Sequence, residues 1–106
     1  KKHGNGIFLY EDGSIYDGDW KNNKWHGSGT YTHITEKNQK SEYRGGFKNG
    51  KFNGIGALTS KSGVVYKGKW KDGIENGLGI QIMTNGDRYE GMWVNGIKHG
   101  NGKYVL

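Results

Sequence analysis

A chain of 106 residues falls in the size range of one domain, yet only 31% of it is hydrophobic and its mean hydropathy is -0.94, which excludes a thick two-layer core. Four Trp, seven Tyr and three Phe argue against disorder, because large rings bury much area per residue. The absence of Cys excludes disulfides, thiolate metal sites and a Cys nucleophile, no apolar run approaches the roughly 20 residues of a membrane span, and the net charge of +6 admits an anionic partner.

The chain opens inside a repeat, since His3-Gly4-Asn5-Gly6 returns letter for letter as His99-Gly100-Asn101-Gly102, and it reads as a piece of something longer. Glu11-Asp12-Gly13 suits a three-residue hairpin loop with glycine in the left-handed position. Then comes the first full repeat start, Tyr16-Asp17-Gly18-Asp19-Trp20, followed by Asn22-Asn23, which tolerates positive φ in a turn. The motif recurs as Tyr43-Arg44-Gly45-Gly46-Phe47, Tyr66-Lys67-Gly68-Lys69-Trp70 and Tyr89-Glu90-Gly91-Met92-Trp93. Behind these lie Asn49-Gly50, Asp72-Gly73 and Asn95-Gly96, the strongest short-range signal for a two-residue type I′ turn. Of the 21 glycines only Gly46 lies off the template, so glycine here sets backbone geometry and is not linker.

Each repeat therefore predicts two antiparallel strands. A two-residue turn sets Trp20 opposite Trp25, Gly18 opposite Gly27 and Tyr16 opposite Gly29, with the ring over bare backbone. Side chains alternate faces with period two, so repeats spaced by 23 residues keep their tyrosines on one face only if one loop per repeat is odd. The three-residue loops at Glu11-Asp12-Gly13 and Thr84-Asn85-Gly86 meet that condition and pair Phe8 with Tyr16, Leu58 with Tyr66 and Gln81 with Tyr89. The first spacing is 27 residues; its four extra residues, in the loop from Thr32 to Glu42, preserve the parity.

At these residues the pattern resembles the membrane occupation and recognition nexus (MORN) repeat, whose signature Tyr-Glu-Gly-x-Trp-x-x-Gly-x-x-x-Gly-x-Gly is matched closely by Tyr89 to Gly102. The resemblance implies an all-β fold: an elongated, curved, single-layer antiparallel sheet of stacked hairpins, an open-ended meander or solenoid with a partial repeat over 1–15 and repeats over 16–42, 43–65, 66–88 and 89–106. It also implies membrane apposition, protein binding or self-association, with any catalysis in other domains, and a cytoplasmic setting with peripheral membrane or cytoskeletal association. Three departures stand out: Phe47 replaces Trp, Asn23 replaces Gly, and Lys40 stands where Gly would precede Tyr43. The second repeat is expected to pack less regularly, with the loop from Thr32 to Glu42 mobile or in specific contact.

Charge is uneven. Residues 37 to 71 hold nine basic residues and one acid, Glu42. Arg44, Lys48, Lys51, Lys67, Lys69 and Lys71 are candidates for anionic phospholipid headgroups, each adding roughly 1 kcal/mol near a membrane surface; the alternative is that lysines beside turns line a long edge and keep a thin sheet soluble. Nucleic acid is disfavoured, because the aromatics are already used by the repeat and little is left to stack bases. A single layer leaves a ring-lined concave face for a peptide or helix, with Tyr43, Phe47, Tyr66 and Trp70 on it. Trp25 and Phe52, where later repeats carry Glu75 and Lys98, are the better candidates for partner anchors. Open terminal edges allow self-association.

No catalytic, metal or cofactor site is expected. His3, His26 and His99 mark one repeat position and are separated by whole repeats, which suits no metal site. No Gly-x-Ser-x-Gly or P-loop occurs. Glu11-Asp12 and the Asp17, Asp19 pair lack a water-excluding pocket to split their pKa values.

Overall fold

In a computed structural model, described over residues 3–106, the chain forms nine antiparallel strands in one sheet whose spatial order is the chain order. The strands are β1 (Gly4–Leu9), β2 (Ile15–Lys21), β3 (Lys24–Ile34), β4 (Lys40–Lys48), β5 (Lys51–Thr59), β6 (Val65–Lys71), β7 (Ile74–Ile82), β8 (Arg88–Val94) and β9 (Ile97–Val105). Among the described residues there is no helix and no second layer; the ribbon measures 45 × 30 × 17 Å. β1 pairs only with β2 and β9 only with β8, so each end of the described sheet is an open edge.

Turn chemistry sets the zigzag. Asn49 and Gly50, Asp72 and Gly73, and Asn95 and Gly96 all have positive φ, as a type I′ turn requires, and Asn22 and Asn23 adopt the same signs at 51° and 65°. Each later turn also ties its repeat to the one before: the N–H groups of Gly50, Gly73 and Gly96 donate to the carbonyls of Trp25, Phe52 and Glu75, each at 2.9 Å. On the opposite edge Tyr10, Ser60 and Met83 open three-residue loops in which the glycine N–H closes back on the first carbonyl. The odd loop pairs Phe8 with Tyr16, Leu58 with Tyr66 and Gln81 with Tyr89, as the parity requires.

One register expectation is overturned. Trp20 does face Trp25, but Gly18 faces Gly29 and Tyr16 faces Tyr31, because His26, Gly27 and Ser28 bulge out opposite Asp19 alone. Gly27 sits in the bulge at a φ of 77°, a conformation few side chains tolerate. The irregularity returns in the β4–β5, β6–β7 and β8–β9 pairs. It adds two residues, so the alternation of faces survives. Tyr16 still lies over Gly29, but by leaning along the strand: a Cβ on Gly29 would sit 2.6 Å from the phenol oxygen. The off-template glycine has its own reason, since a side chain at Gly46 would run into the Asn53 carbonyl opposite the second bulge.

The expected irregularity of the second repeat is also overturned. The extra residues lengthen β3 and β4 through the pairs His33 with Ser41 and Ile34 with Lys40, and the hairpin closes through Thr35 and Gln39 around Asn38 at a φ of 60°. An insertion of even length can extend a ladder by equal amounts on both strands, which is why it costs the packing nothing.

The core is a single file of rings on one face. Tyr16, Trp20, Tyr43, Phe47, Tyr66, Trp70, Tyr89 and Trp93 are the buried hydrophobic residues. Tyr16 stands edge-on between Trp20 and Phe47, both at 5.1 Å; Tyr43 between Phe47 and Trp70; Tyr66 between Trp70 and Trp93. Each ring thus packs against its own repeat and the next. Burial of a ring removes roughly 150–250 Å² from water, about 4–6 kcal/mol before conformational entropy is subtracted. The phenol oxygens are satisfied locally: Tyr16, Tyr43 and Tyr66 donate to the carbonyls of Asp19, Gly46 and Lys69 at 2.7, 2.8 and 3.1 Å.

Candidate functional site

Two positions per repeat lie over the buried tyrosines. One follows the two-residue turn and holds Trp25, Phe52, Glu75 and Lys98; the other is directly opposite the tyrosine and holds Tyr31, Leu58, Gln81 and Tyr104. In the first two repeats these lids are apolar. Trp25 stacks on Tyr16 at 4.9 Å with planes 4° apart and donates from Nε1 to the Tyr10 hydroxyl at 2.8 Å. Phe52 stacks on Tyr43 at 3.8 Å and 6°. In the fourth repeat Lys98 takes the place of the ring, its Nζ 4.8 Å above Tyr89 and 5.3 Å from the Tyr104 centroid, a cation–π arrangement.

Trp25, Tyr31, Phe52 and Leu58 are half-buried and pack on the core, with Tyr31 and Tyr10 also against the Trp25 ring. Between them run three shallow hollows. The largest, about 500 Å³, is floored by Tyr31, Tyr43, Phe52 and Leu58 with Ser41, Ser60, Lys61 and Ser62 at its rim. A second, about 270 Å³, lies between Trp25, Tyr31 and Phe52 with Lys51 at its margin, and a third, about 250 Å³, between Tyr10, Trp25 and Lys24. No carboxylate lines any of the three.

The structure thus separates the candidate anchors. Trp25 and Phe52 form hollow walls, whereas Phe47, Tyr66 and Trp70 are buried beneath and Tyr43, also fully buried, underlies the largest hollow. Tyr10, Tyr31 and Leu58 were not singled out by sequence. The odd-loop pairing brings in Leu58, opposite Tyr66, but not Tyr31, and the bulge that sets each of them opposite its own tyrosine is not legible in that pairing.

Five of the six basic candidates stand away from the ring-face hollows, and the sixth, Lys51, borders one of them. Arg44, Lys67 and Lys69 are exposed on strands β4 and β6, alternating with ring-face neighbours. Lys48 and Lys51 face each other across the Asn49-Gly50 turn, and Lys71 flanks the next. Exposed Ile55 lies opposite Lys69, and Leu78 opposite Met92, on this same face. Glu42 partly offsets the charge, accepting from Arg44 at 3.2 Å and from Lys40 at 3.4 Å.

One polar cluster invites a chemical reading. The Ser14 hydroxyl donates to Asp12 Oδ1 and lies 3.2 Å from His33 Nδ1, with Tyr31 donating to it at 3.3 Å. A hydrolytic triad places the histidine between acid and nucleophile; here the acid takes the serine proton directly, and Ser14 is 2% exposed. Asp12 is held below the ordinary carboxylate range first by the Ser14 hydroxyl, then by the Ser14 N–H, with His33 a further contributor. The cluster clasps the first three-residue loop onto β3. Asp19 is likewise engaged, its Oδ2 accepting the Ser28 N–H at 3.1 Å. Among the described residues no three His, Cys, Asp or Glu side chains gather as a metal site, and no helix is long and apolar enough to cross a membrane.

An open, unclosed row of hairpins with a file of shared rings defines a β-repeat array. The MORN repeat sequence profile matches residues 1–15, 16–34, 43–65, 66–88 and 89–106. The chain belongs to the MORN repeat family, a family of generally non-enzymatic repeats linked to membrane or protein interaction. Residues 35–42 fall between two matched segments, where the β3–β4 hairpin carries its extension. No curated protein matched the chain.

Proposed function

We propose that this array is a non-catalytic, cytoplasmic scaffold that binds a protein segment across its ring face. The observation that carries the reading is the row of half-buried apolar lids, Trp25, Tyr31, Phe52 and Leu58, bordering hollows on a sheet with no second layer. Rings that are held rigidly by their neighbours and remain partly exposed give contact area at little cost in conformational entropy. Replacing Trp25 and Phe52 with Ser should abolish pull-down of the partner while the β-sheet signal in circular dichroism persists; unchanged pull-down removes these residues as anchors.

A second reading rests on a separate observation: Arg44, Lys67 and Lys69 are exposed on the face turned away from the rings, and Lys48, Lys51 and Lys71 gather at the turns along the adjoining edge. Such a surface suits peripheral attachment to anionic lipid, screened by salt. Liposome flotation with and without anionic lipid, at low and raised salt, tests it; absence of co-flotation at low salt ends the reading. The two surfaces meet at Lys51, which flanks the Asn49-Gly50 turn and also borders a ring-face hollow.

A further inference from the structure

We propose that the segment taken by the ring face is proline-rich and lies along the array, across the strands, as a polyproline II helix. This rests on the reading above that the ring face is the binding face, and names what it binds.

Spacing is the first argument. Equivalent lids, Trp25 on β3 and Phe52 on β5, are two strands apart, which at strand separations of 4.7–4.9 Å is about 9.6 Å. A polyproline II helix repeats its facing residue every three residues, about 9.3 Å. An α-helix first returns a residue to the same face at this scale after seven, about 10.5 Å, and drifts out of step by about 1 Å per repeat. An extended strand presents one face at about 6.7 and 13 Å and misses the spacing altogether.

Hydrogen-bonding chemistry is the second. A polyproline II segment has no internal hydrogen bonds, and proline has no N–H, so it arrives with carbonyls to satisfy and few donors to place. The hollows offer the complement: Lys24, Lys51 and Lys61 can only donate, hydroxyls at Ser41 and Ser60 can donate, and no carboxylate competes. Tyr10 already accepts the Trp25 Nε1–H, so its own proton is free to point outward. Flat rings close the match. Trp25 and Phe52 lie parallel to the tyrosines beneath them and border the hollows with their exposed parts, aromatic walls of the kind that pyrrolidine rings pack against. The site ends at the third repeat, where the lids become Glu75 and Gln81.

The test is a titration of the ¹⁵N-labelled chain with acetylated decaproline, with a Gly-Ser decapeptide and an amphipathic Leu-Glu-Lys helical peptide as comparisons, read at the Trp25 indole N–H resonance. Decaproline should shift that resonance saturably, the Gly-Ser peptide should not, and Lys51→Glu should weaken the decaproline affinity by about tenfold through loss of a charged donor. No shift with decaproline, an equal response to the Gly-Ser peptide, or an affinity indifferent to Lys51→Glu overturns the proposal. A shift caused by the helical peptide alone overturns it too, while leaving the ring face as the binding face; failure of that wider reading is seen separately, in partner pull-down that survives the loss of Trp25 and Phe52.

Discussion

Phe52 lies flat on Tyr43, ring centroids 3.8 Å apart and planes 6° from parallel, so that a side chain with no fixed place in the repeat signature covers one that has. Tyr66, at the same place in the next repeat, has Glu75 in the covering position and no ring above it. Replacing Glu75 with Phe should therefore stabilise the fold by about 0.5–1.5 kcal/mol, the worth of an aromatic pair beyond its area. Phe52→Ala should cost about 1–3 kcal/mol. Urea midpoints at constant slope check both; a destabilised Glu75→Phe variant would contradict the covering role.

Two glycines separate close approach from backbone conformation. At Gly56 an added Cβ would collide with the Tyr43 ring, whereas at Gly50 there is open space but a φ of 80°. Gly50→Ala should cost about 1–2 kcal/mol through strain alone. Gly56→Ala displaces a core ring and should exceed about 3 kcal/mol. Thermal melts of the two variants should fall in that order.

Polar partners differ between repeats. Trp70 Nε1 donates to the Gly56 carbonyl at 3.1 Å, whereas Trp93 Nε1 and the Tyr89 hydroxyl are buried without a hydrogen-bond partner. In the last hairpin the bulge falls one residue earlier on the tyrosine strand, between Glu90 and Met92, which changes the geometry that the other tyrosines use. Trp70→Phe should cost about 1 kcal/mol more than Trp93→Phe, measured by denaturant titration.

Alkali should unfold the array. Burial pushes the Tyr16, Tyr43 and Tyr66 phenols up to about 12, while an unfolded tyrosine titrates near about 10. The folded state therefore holds protons that the unfolded state releases. Stability is full below about pH 10 and declines as pH rises toward 12. Tyrosinate absorbance should show a late, cooperative component coincident with loss of the β-sheet signal; ordinary titration of every tyrosine near pH 10 in the folded chain would contradict it.

Much of this architecture was legible in the chain. The Asn-Gly and Asp-Gly pairs announce their turns because positive φ restricts the residues allowed, and the parity of 23- and 27-residue spacings demands the odd loops that the structure contains. The bulge escaped, because glycine at Gly27 fits both a flat ladder beneath a ring and a left-handed kink; only the pairing of Gly18 with Gly29 separates them. That choice decides which residues cover Tyr16 and Tyr43. It is why Trp25 and Phe52 were picked out as unexplained by the repeat, whereas Tyr31 and Leu58 beside them were not.

The most direct test of the account is site-specific photo-crosslinking from the two faces in turn. A photoreactive residue in place of Leu58, at the edge of the largest ring-face hollow, should form a covalent adduct with the bound protein segment, and one in place of Lys69, exposed on the opposite face, should not. Adducts from position 69 and none from position 58 would contradict the claim that the ring face is where this array binds.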